Sequence, residues 1–241
     1  MYLYMNIKEN IKKIVQGKRY SSESYINYLR NLGMLIGEDV TIYVPTKTLI
    51  DEQYPWMISI GNHVRITEGV KILTHDYSWS VLKSYSGGVL GSSGYIEIGN
   101  NVFIGMNAII TRNVTIGDNV IIGVGSIVTK NCEANGVYVG NPAHKIMDIG
   151  EFFEKRKKMQ LKEAKTLALQ YYKVFHKKPE REIFHEYFML FSDENTINNN
   201  SVFRKKINLC GNLKEMPIYL EKYPPLFRDY DEFMRYCFYD N

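Results

Sequence analysis

Residues 98–133 read IGNNVF, IGMNAI, ITRNVT, IGDNVI, IGVGSI, VTKNCE, six consecutive units of six residues. Each unit opens on a β-branched aliphatic: Ile98, Ile104, Ile110, Ile116, Ile122 and Val128. An amphipathic helix needs a period near 3.6 and a half-buried strand a period of two, so a period of six fits neither. A repeat of this kind sets the architecture before any other pattern is read. The same frame holds upstream at Ile60, Ile66 and Ile72, and weaker units begin at Ile36 and Ile42. Four residues after each start come Val64, Val70, Asp76, Val102, Ala108, Val114, Val120, Ser126 and Cys132; all but Asp76 suit a tight interior. The fourth position of each unit reads His63, Gly69, His75, Asn101, Asn107, Asn113, Asn119, Gly125 and Asn131. These residue types tolerate positive φ better than most. Each unit is therefore expected to be a short strand ending in a corner, with three units closing a triangular coil and stacked coils pairing as parallel strands.

The register breaks between Asp76 and Tyr95, where DYSWSVLKSYSGGVLGSSGY replaces the repeat. Aromatics, a lysine and a Gly/Ser-rich tail predict an extruded loop that rejoins the coil at Ile96 or Ile98. Long loops on a rigid scaffold commonly carry function.

The flanks have different periodicities. Residues 1–33 read as an N-terminal helical cap, with Ser21 or Ser22 capping a helix over 23–32 and Gly33 just beyond its end. Residues 34–149 form the β-helix domain, and 150–241 a helical C-terminal extension. Within the extension, Ala164, Ala168, Tyr171, Tyr172 and Phe175 fall at helical spacing over 151–176. A second helix is expected through Ile183, Phe184, Tyr187, Phe188 and Leu190. DENTINNN at 193–200 reads as a polar loop, and the aromatic end from Met216 to Tyr239 as partly helical. Stacked coils expose unpaired strands at both ends, so caps are required.

Composition narrows the function classes. A chain of 241 residues with 45% hydrophobic and 23% charged residues is ordinary for a globular protein. A net charge of +4 gives no general argument for nucleic acid. The basic run Lys155-Arg156-Lys157-Lys158 reads as a solvated helix face. Cys132, Cys210 and Cys237 show no metal-binding or redox spacing, which suits a reducing, cytoplasmic setting. Neither a signal-peptide core nor an integral membrane segment is expected.

Of five histidines, His75 alone combines a corner position with the start of the loop. A neutral imidazole, with a reference pKa of about 6.5, accepts a hydroxyl proton near neutral pH. Asp76, a backbone carbonyl or another carboxylate such as Glu97 can each orient the ring, although adjacent strand residues usually point oppositely. Tyr77, Trp79 and Tyr85 on the loop can stack on a sugar ring or pack on the coil. Cys132 sits at an inward, small-residue position and is expected to be a buried hydrophobe, not a nucleophile.

PWMISIGNHVRITEGVKILTHDYSW, IEIGNNVFIGMNAIITRNVTIGDNVIIGVGSIVTKN and GVYVGNPAHKI together resemble the bacterial hexapeptide-repeat sugar and polysaccharide O-acetyltransferases, the group with galactoside and maltose acetyltransferases. The resemblance covers about residues 33–149. It implies a mainly β fold, a left-handed parallel β-helix with N-terminal helices and a helical C-terminal extension. It also implies a homotrimer with sites between subunits, acetyl-CoA as co-substrate with no metal, and a sugar or oligosaccharide acceptor. His75 then matches the general base. Gly105, Met106, Gly123 and Val124 match the pantetheine groove, where small residues allow close approach. Thr129, Lys130, His144 and Lys145 match positions near the nucleotide end. Phe103 stands where several relatives carry Trp, and His144 where relatives often carry Arg. The alternatives are acetylation of an antibiotic or amino-sugar nitrogen, a zinc hexapeptide enzyme, and a non-catalytic trimeric assembly module. Zinc needs three converging ligands, and the repeat holds only His63 and His75.

Overall fold

The computed structural model describes residue 11 and residues 13–239. The chain divides into two units, Met1–Phe152 and Phe153–Asn241.

Unit one is a three-sided parallel β-helix. Its first face stacks β1 (Leu35–Ile36), β4 (Ile58–Ile60), β7 (Ile96–Ile98) and β10 (Val114–Ile116). The second stacks β2 (Thr41–Ile42), β5 (Val64–Ile66), β8 (Val102–Ile104) and β11 (Val120–Ile122), and continues into β13 (Gly136–Gly140) and β14 (Ala143–Asp148). The third stacks β3 (Leu49–Ile50), β6 (Lys71–Ile72), β9 (Ile109–Ile110) and β12 (Ile127–Val128). All pairs are parallel except β13 with β14. Ile60 pairs with Ile98, Ile66 with Ile104 and Ile72 with Ile110, so unit starts lie over one another. Every start from Ile60 to Val128 is buried, and so is every small position four residues on except Asp76. The six-residue period is thus a stack of interior layers, and each fully buried aliphatic contributes about 1.5–3 kcal/mol.

The corners explain the Asn preference. His63, Gly69, Asn101, Asn107, Asn113, Asn119 and Gly125 all adopt positive φ, from 54° to 77°. The asparagines also bond up the stack: Asn101 Nδ2 donates to Asn119 Oδ1 at 2.8 Å, and Asn119 Nδ2 to Asn135 Oδ1 at 2.9 Å. Two expected corners differ. His75 is not left-handed, because the chain departs there and pairs antiparallel with the returning Ser93. Asn131 is not left-handed either. The last turn is offset, with Cys132 bridging Ile116 and Asn135 taking the positive φ of 60°.

The helix α1 (Ser22–Asn31) covers the open end of the coil and buries Tyr25, Ile26 and Leu29 in the same core as Ile42 and Ile50. Ser21 caps it by accepting from Ser24 N, and Gly33 follows at φ 97°. The rest of the expected N-terminal cap, residues 1–10 and 12, lies outside the described residues. The extruded loop carries a 3-10 turn over Ser78–Leu82 and the short helix α2 (Lys83–Ser86), and rejoins at Ile96.

Unit two is helical. The helix α3 (Ile149–Phe175) spans the unit boundary in sequence and buries Ala164 and Ala168. It is followed by α4 (Glu194–Asn199), α5 (Ser201–Cys210), α6 (Glu215–Lys222) and α7 (Tyr230–Phe238). The core is aromatic: Phe191 stacks on Phe233 at 4.9 Å, Phe188 on Phe203 at 4.6 Å, and Phe184 meets Phe233 edge-on at 5.0 Å. Two expectations are corrected here. Residues 183–190 form two 3-10 turns, Arg181–Phe184 and Phe188–Leu190, because Phe184 and Phe188 both turn into that core. Residues 193–200 are not a loop: Asp193 and Asn200 cap α4 and α5 through their side chains. None of the described helices is long and apolar enough to cross a membrane.

Candidate active site

Two departures from the six-residue register fall on one edge of the coil, between the third and first faces. Ten positions separate Ile50 from Ile60, and 26 separate Ile72 from Ile98, where regular units take six. The first excursion begins with Asp51 and the second with His75, and the two side chains meet. Asp51 Oδ2 lies 2.5 Å from His75 Nδ1.

Asp51 is buried, with 6% of its side chain exposed. Its Oδ2 also accepts from Thr74 N at 3.0 Å and Thr74 Oγ1 at 2.5 Å, and its Oδ1 from Gln53 N at 2.9 Å. Burial alone raises the pKa of such a carboxyl. The bonds from Thr74, Gln53 and His75 outweigh it and hold Asp51 below the usual carboxylate range. An ionised carboxylate only accepts, so His75 Nδ1 carries a proton, and in the neutral ring Nε2 presents the lone pair. Nε2 has no hydrogen-bond partner among the described residues. The ring's partner is thus another carboxylate, as the sequence allowed, but Asp51 and not Glu97, Asp76 or a backbone carbonyl. The 24-residue offset hides Asp51 from a reading built on regular coils, although the short excursion at Asp51 was itself a signal.

Asp76 faces the loop instead. It accepts from Ser78 N at 2.9 Å, Ser78 Oγ at 2.5 Å and Ser92 Oγ at 2.9 Å, and pairs with Arg112 at 3.2 Å. The Ser78 and Ser92 bonds, with Arg112 beside them, hold its carboxyl at about 2. Arg112 Nε also donates to Ser92 Oγ at 2.8 Å. Asp76 N donates to Ser92 O at 3.2 Å and Gly94 N to Thr74 O at 2.8 Å, so the two stems of the loop are joined at its base.

Five aromatic rings lie in a row with the imidazole at the centre. Trp56 meets Tyr54 at 5.9 Å, Tyr54 meets His75 at 5.6 Å, His75 meets Tyr77 at 5.3 Å and Tyr77 meets Trp79 at 6.0 Å, all edge to face. Tyr77 Oη donates to Gln53 Oε1 at 3.1 Å, linking the two excursions. Tyr85 stands 91% exposed on α2, away from this row.

The remaining site residues are distributed over the prism. Glu97 lies on the first face and accepts from Thr115 Oγ1 at 3.3 Å. Phe103 is exposed on the second face. Gly105, Met106, Gly123 and Val124 line the edge between the second and third faces. At Gly105 a Cβ would stand 2.6 Å from Val124 N, so that glycine admits the next coil. Met106 and Val124 are the exposed apolar groups of this edge. Thr129 and Lys130 are exposed on the same edge as His75. His144 and Lys145 lie on β14, paired in register with Val139 and Tyr138, and Lys145 is bonded to Asp148 at 2.6 Å. In one chain the imidazole and the apolar edge are therefore separated by the whole third face. Cys132 is buried, and burial pushes its thiol up to about 12. Among the described residues no group of three or more His, Cys, Asp or Glu is placed to hold a metal ion.

A model of the bacterial transferase hexapeptide family, six repeats, matches residues 95–130. Protein CapG of Staphylococcus aureus is 42% identical over 164 residues, covering 65% of this chain and 92% of CapG. The chain belongs to the bacterial hexapeptide transferases. Solved structures similar to this hexapeptide transferase include a maltose O-acetyltransferase from Clostridium difficile 630, at 29% identity and a TM-score of 0.42, over 52% of this chain and 75% of that one. A galactoside acetyltransferase in complex with coenzyme A gives 28% and 0.42, over 55% and 73%. A hexapeptide-repeat acetyltransferase from Vibrio cholerae gives 18% and 0.44, over 59% and 89%.

Proposed function

We propose that this hexapeptide transferase moves an acetyl group from acetyl-CoA to a hydroxyl of a sugar or surface-polysaccharide precursor, with His75 as general base. The observation that carries this reading is the Asp51–His75 pair under the loop. Asp51 fixes the Nδ1–H tautomer, so Nε2 takes the acceptor proton as its oxygen attacks. The imidazolium formed is stabilised by the buried carboxylate and returns its proton to the departing thiolate. Acetyl-CoA supplies an activated acyl carbon and a thiolate leaving group. Exposed Met106 and Val124 suit its apolar arm, and Lys130 suits its phosphates as a point charge. Met106 and Val124 lie on the edge between the second and third faces, whereas His75 and Lys130 share the edge between the third and first, so a site assembled between subunits of a homotrimer joins the apolar edge of one copy to the His75 edge of its neighbour. Tyr54 and Tyr77, whose rings flank His75, favour a sugar, whose C–H faces stack on aromatics.

The test follows CoA release with a panel of sugars and acetyl-CoA. His75→Ala is expected to lower kcat by about 10²–10⁴-fold with acetyl-CoA binding retained in calorimetry. Near-normal transfer by that variant refutes the assignment. A second reading, a non-catalytic trimeric module, is supported instead if calorimetry shows no binding of acetyl-CoA.

A further inference from the structure

The chain has two tryptophans, Trp56 and Trp79, and they stand at the two ends of the row of rings centred on His75. They are not equivalent. Trp79 is half-buried on the loop, whereas Trp56 is 66% exposed. Tryptophan is highly buried on average, so an indole this exposed and continuous with a row of other rings is a candidate contact surface.

Trp56 is held still. It occupies the middle of a 3-10 turn, Pro55–Met57, whose Pro55 is buried and which Met57 N closes on Tyr54 O at 3.0 Å. The preceding residues are braced on both sides of the chain. Asp51 is fixed by Thr74 and His75. Glu52 accepts from Lys18 at 2.6 Å, Arg19 at 2.9 Å, Tyr28 Oη at 3.1 Å and Tyr25 Oη at 3.2 Å. The indole is therefore presented on a preorganised segment, which lowers the entropy lost on binding.

We infer that Trp56 is a second sugar subsite, stacking the ring next to the one that presents its hydroxyl to His75, so that the acceptor is at least a disaccharide. The inference rests on the sugar-acceptor reading above. Its geometry is that of the row: the reacting ring sits against the imidazole between Tyr54 and Tyr77, and Trp56 is the next ring out from Tyr54. Gln53, whose Oε1 accepts from Tyr77, leaves its amide N–H donors unused for sugar hydroxyls on the same segment. An indole carries a flat apolar face and one N–H donor, the combination that suits one C–H face of a pyranose.

The test uses acetyl-CoA with three acceptor pairs: methyl β-glucoside and cellobiose, methyl β-galactoside and lactose, methyl N-acetyl-β-glucosaminide and chitobiose. Trp56→Ala is expected to lower kcat/KM for a reactive disaccharide about tenfold and to leave its monosaccharide partner within about twofold, with Trp56→Tyr restoring most of the loss. Independently of turnover, Trp79→Phe leaves Trp56 as the single tryptophan beside the 19 tyrosines, and its emission, excited beyond the tyrosine absorption edge, is expected to shift with the disaccharide and not with the monosaccharide. Equal losses on both members of a pair, or no emission change at saturating disaccharide, overturn the inference and leave the acetyl-transfer reading intact. A changed sedimentation coefficient of Trp56→Ala with both acceptors treated alike assigns the indole to a subunit contact and also overturns it. Failure of every sugar to accept an acetyl group removes the sugar-acceptor reading and the subsite with it.

Discussion

Asp51 and His75 stand 24 residues apart and on successive coils, yet one carboxylate oxygen and one ring nitrogen lie 2.5 Å from each other. The pair exists only because two coils are stacked in register. Asp51→Asn removes the charge and lets the ring adopt the other tautomer. It is expected to lower kcat by at least about 10²-fold with little change in KM for acetyl-CoA. Steady-state kinetics of the purified variant check this, and an unchanged kcat removes Asp51 from the mechanism.

Acid is expected to destabilise the coil through Asp51. Its folded pKa is lowered, so the stability it contributes is present above the ordinary carboxylate range and is lost as pH falls through the lowered value. Thermal unfolding midpoints should stay level from neutral pH to about pH 5 and drop below about pH 4. Asp51→Asn should have a lower midpoint at neutral pH and a shallower acid decline. A decline as steep as in the wild type assigns the acid sensitivity elsewhere, for example to Asp39, also lowered: burial acts to raise it, and the bonds from Arg65 and His63 outweigh this.

Asp76 governs the loop and not the imidazole. Asp76→Ala removes the acceptor shared by Ser78, Ser92 and Arg112. Limited proteolysis is expected to cut within 77–91 faster in the variant, and the acceptor KM to rise while the unfolding midpoint stays close to that of the wild type. Unchanged cleavage contradicts the clasp.

Val124 is 75% exposed on the edge assigned to acetyl-CoA. Val124→Glu is expected to fold normally and to raise KM for acetyl-CoA about tenfold, because a carboxylate then faces an apolar arm and a phosphate-rich ligand. Calorimetric affinity equal to the wild type places the acetyl-CoA path elsewhere.

Ile98, Asn101 and Val102 show why the coil was readable from sequence. Each is constrained separately, as a buried layer, a left-handed corner and a small interior residue, and the constraints recur every six positions. The loop and His75 were readable as the place where the constraint stops. Asp51 was not, because the excursion between Ile50 and Ile60 adds four residues, so Ile50 lies 22 residues before its coil partner Ile72 where a regular coil takes 18, and Asp51 lies 24 before His75. The helical extension was less legible for the opposite reason. Phe184 and Phe188 have helical spacing, but their rings answer to Phe233 and Phe203 from distant helices, and tertiary packing overrode local pattern.

A second Asp–His pair with the same offset, Asp39 and His63, sits on another edge, also at 2.5 Å, but no loop overhangs it and Arg65 shares the carboxylate. The loop at His75 is what separates the two, and its stems are joined where Thr74 meets Gly94 and Asp76 meets Ser92. Beyond Tyr77 and Ser78, which bond Gln53 and Asp76, residues 79–91 make no hydrogen bond to the coil among the described residues, so that part of the branch can change in length and composition without disturbing one. Such a branch is an exchangeable cassette: if the proposed function holds, acceptor preference can be retuned within one segment while the scaffold and the Asp51–His75 pair stay in place.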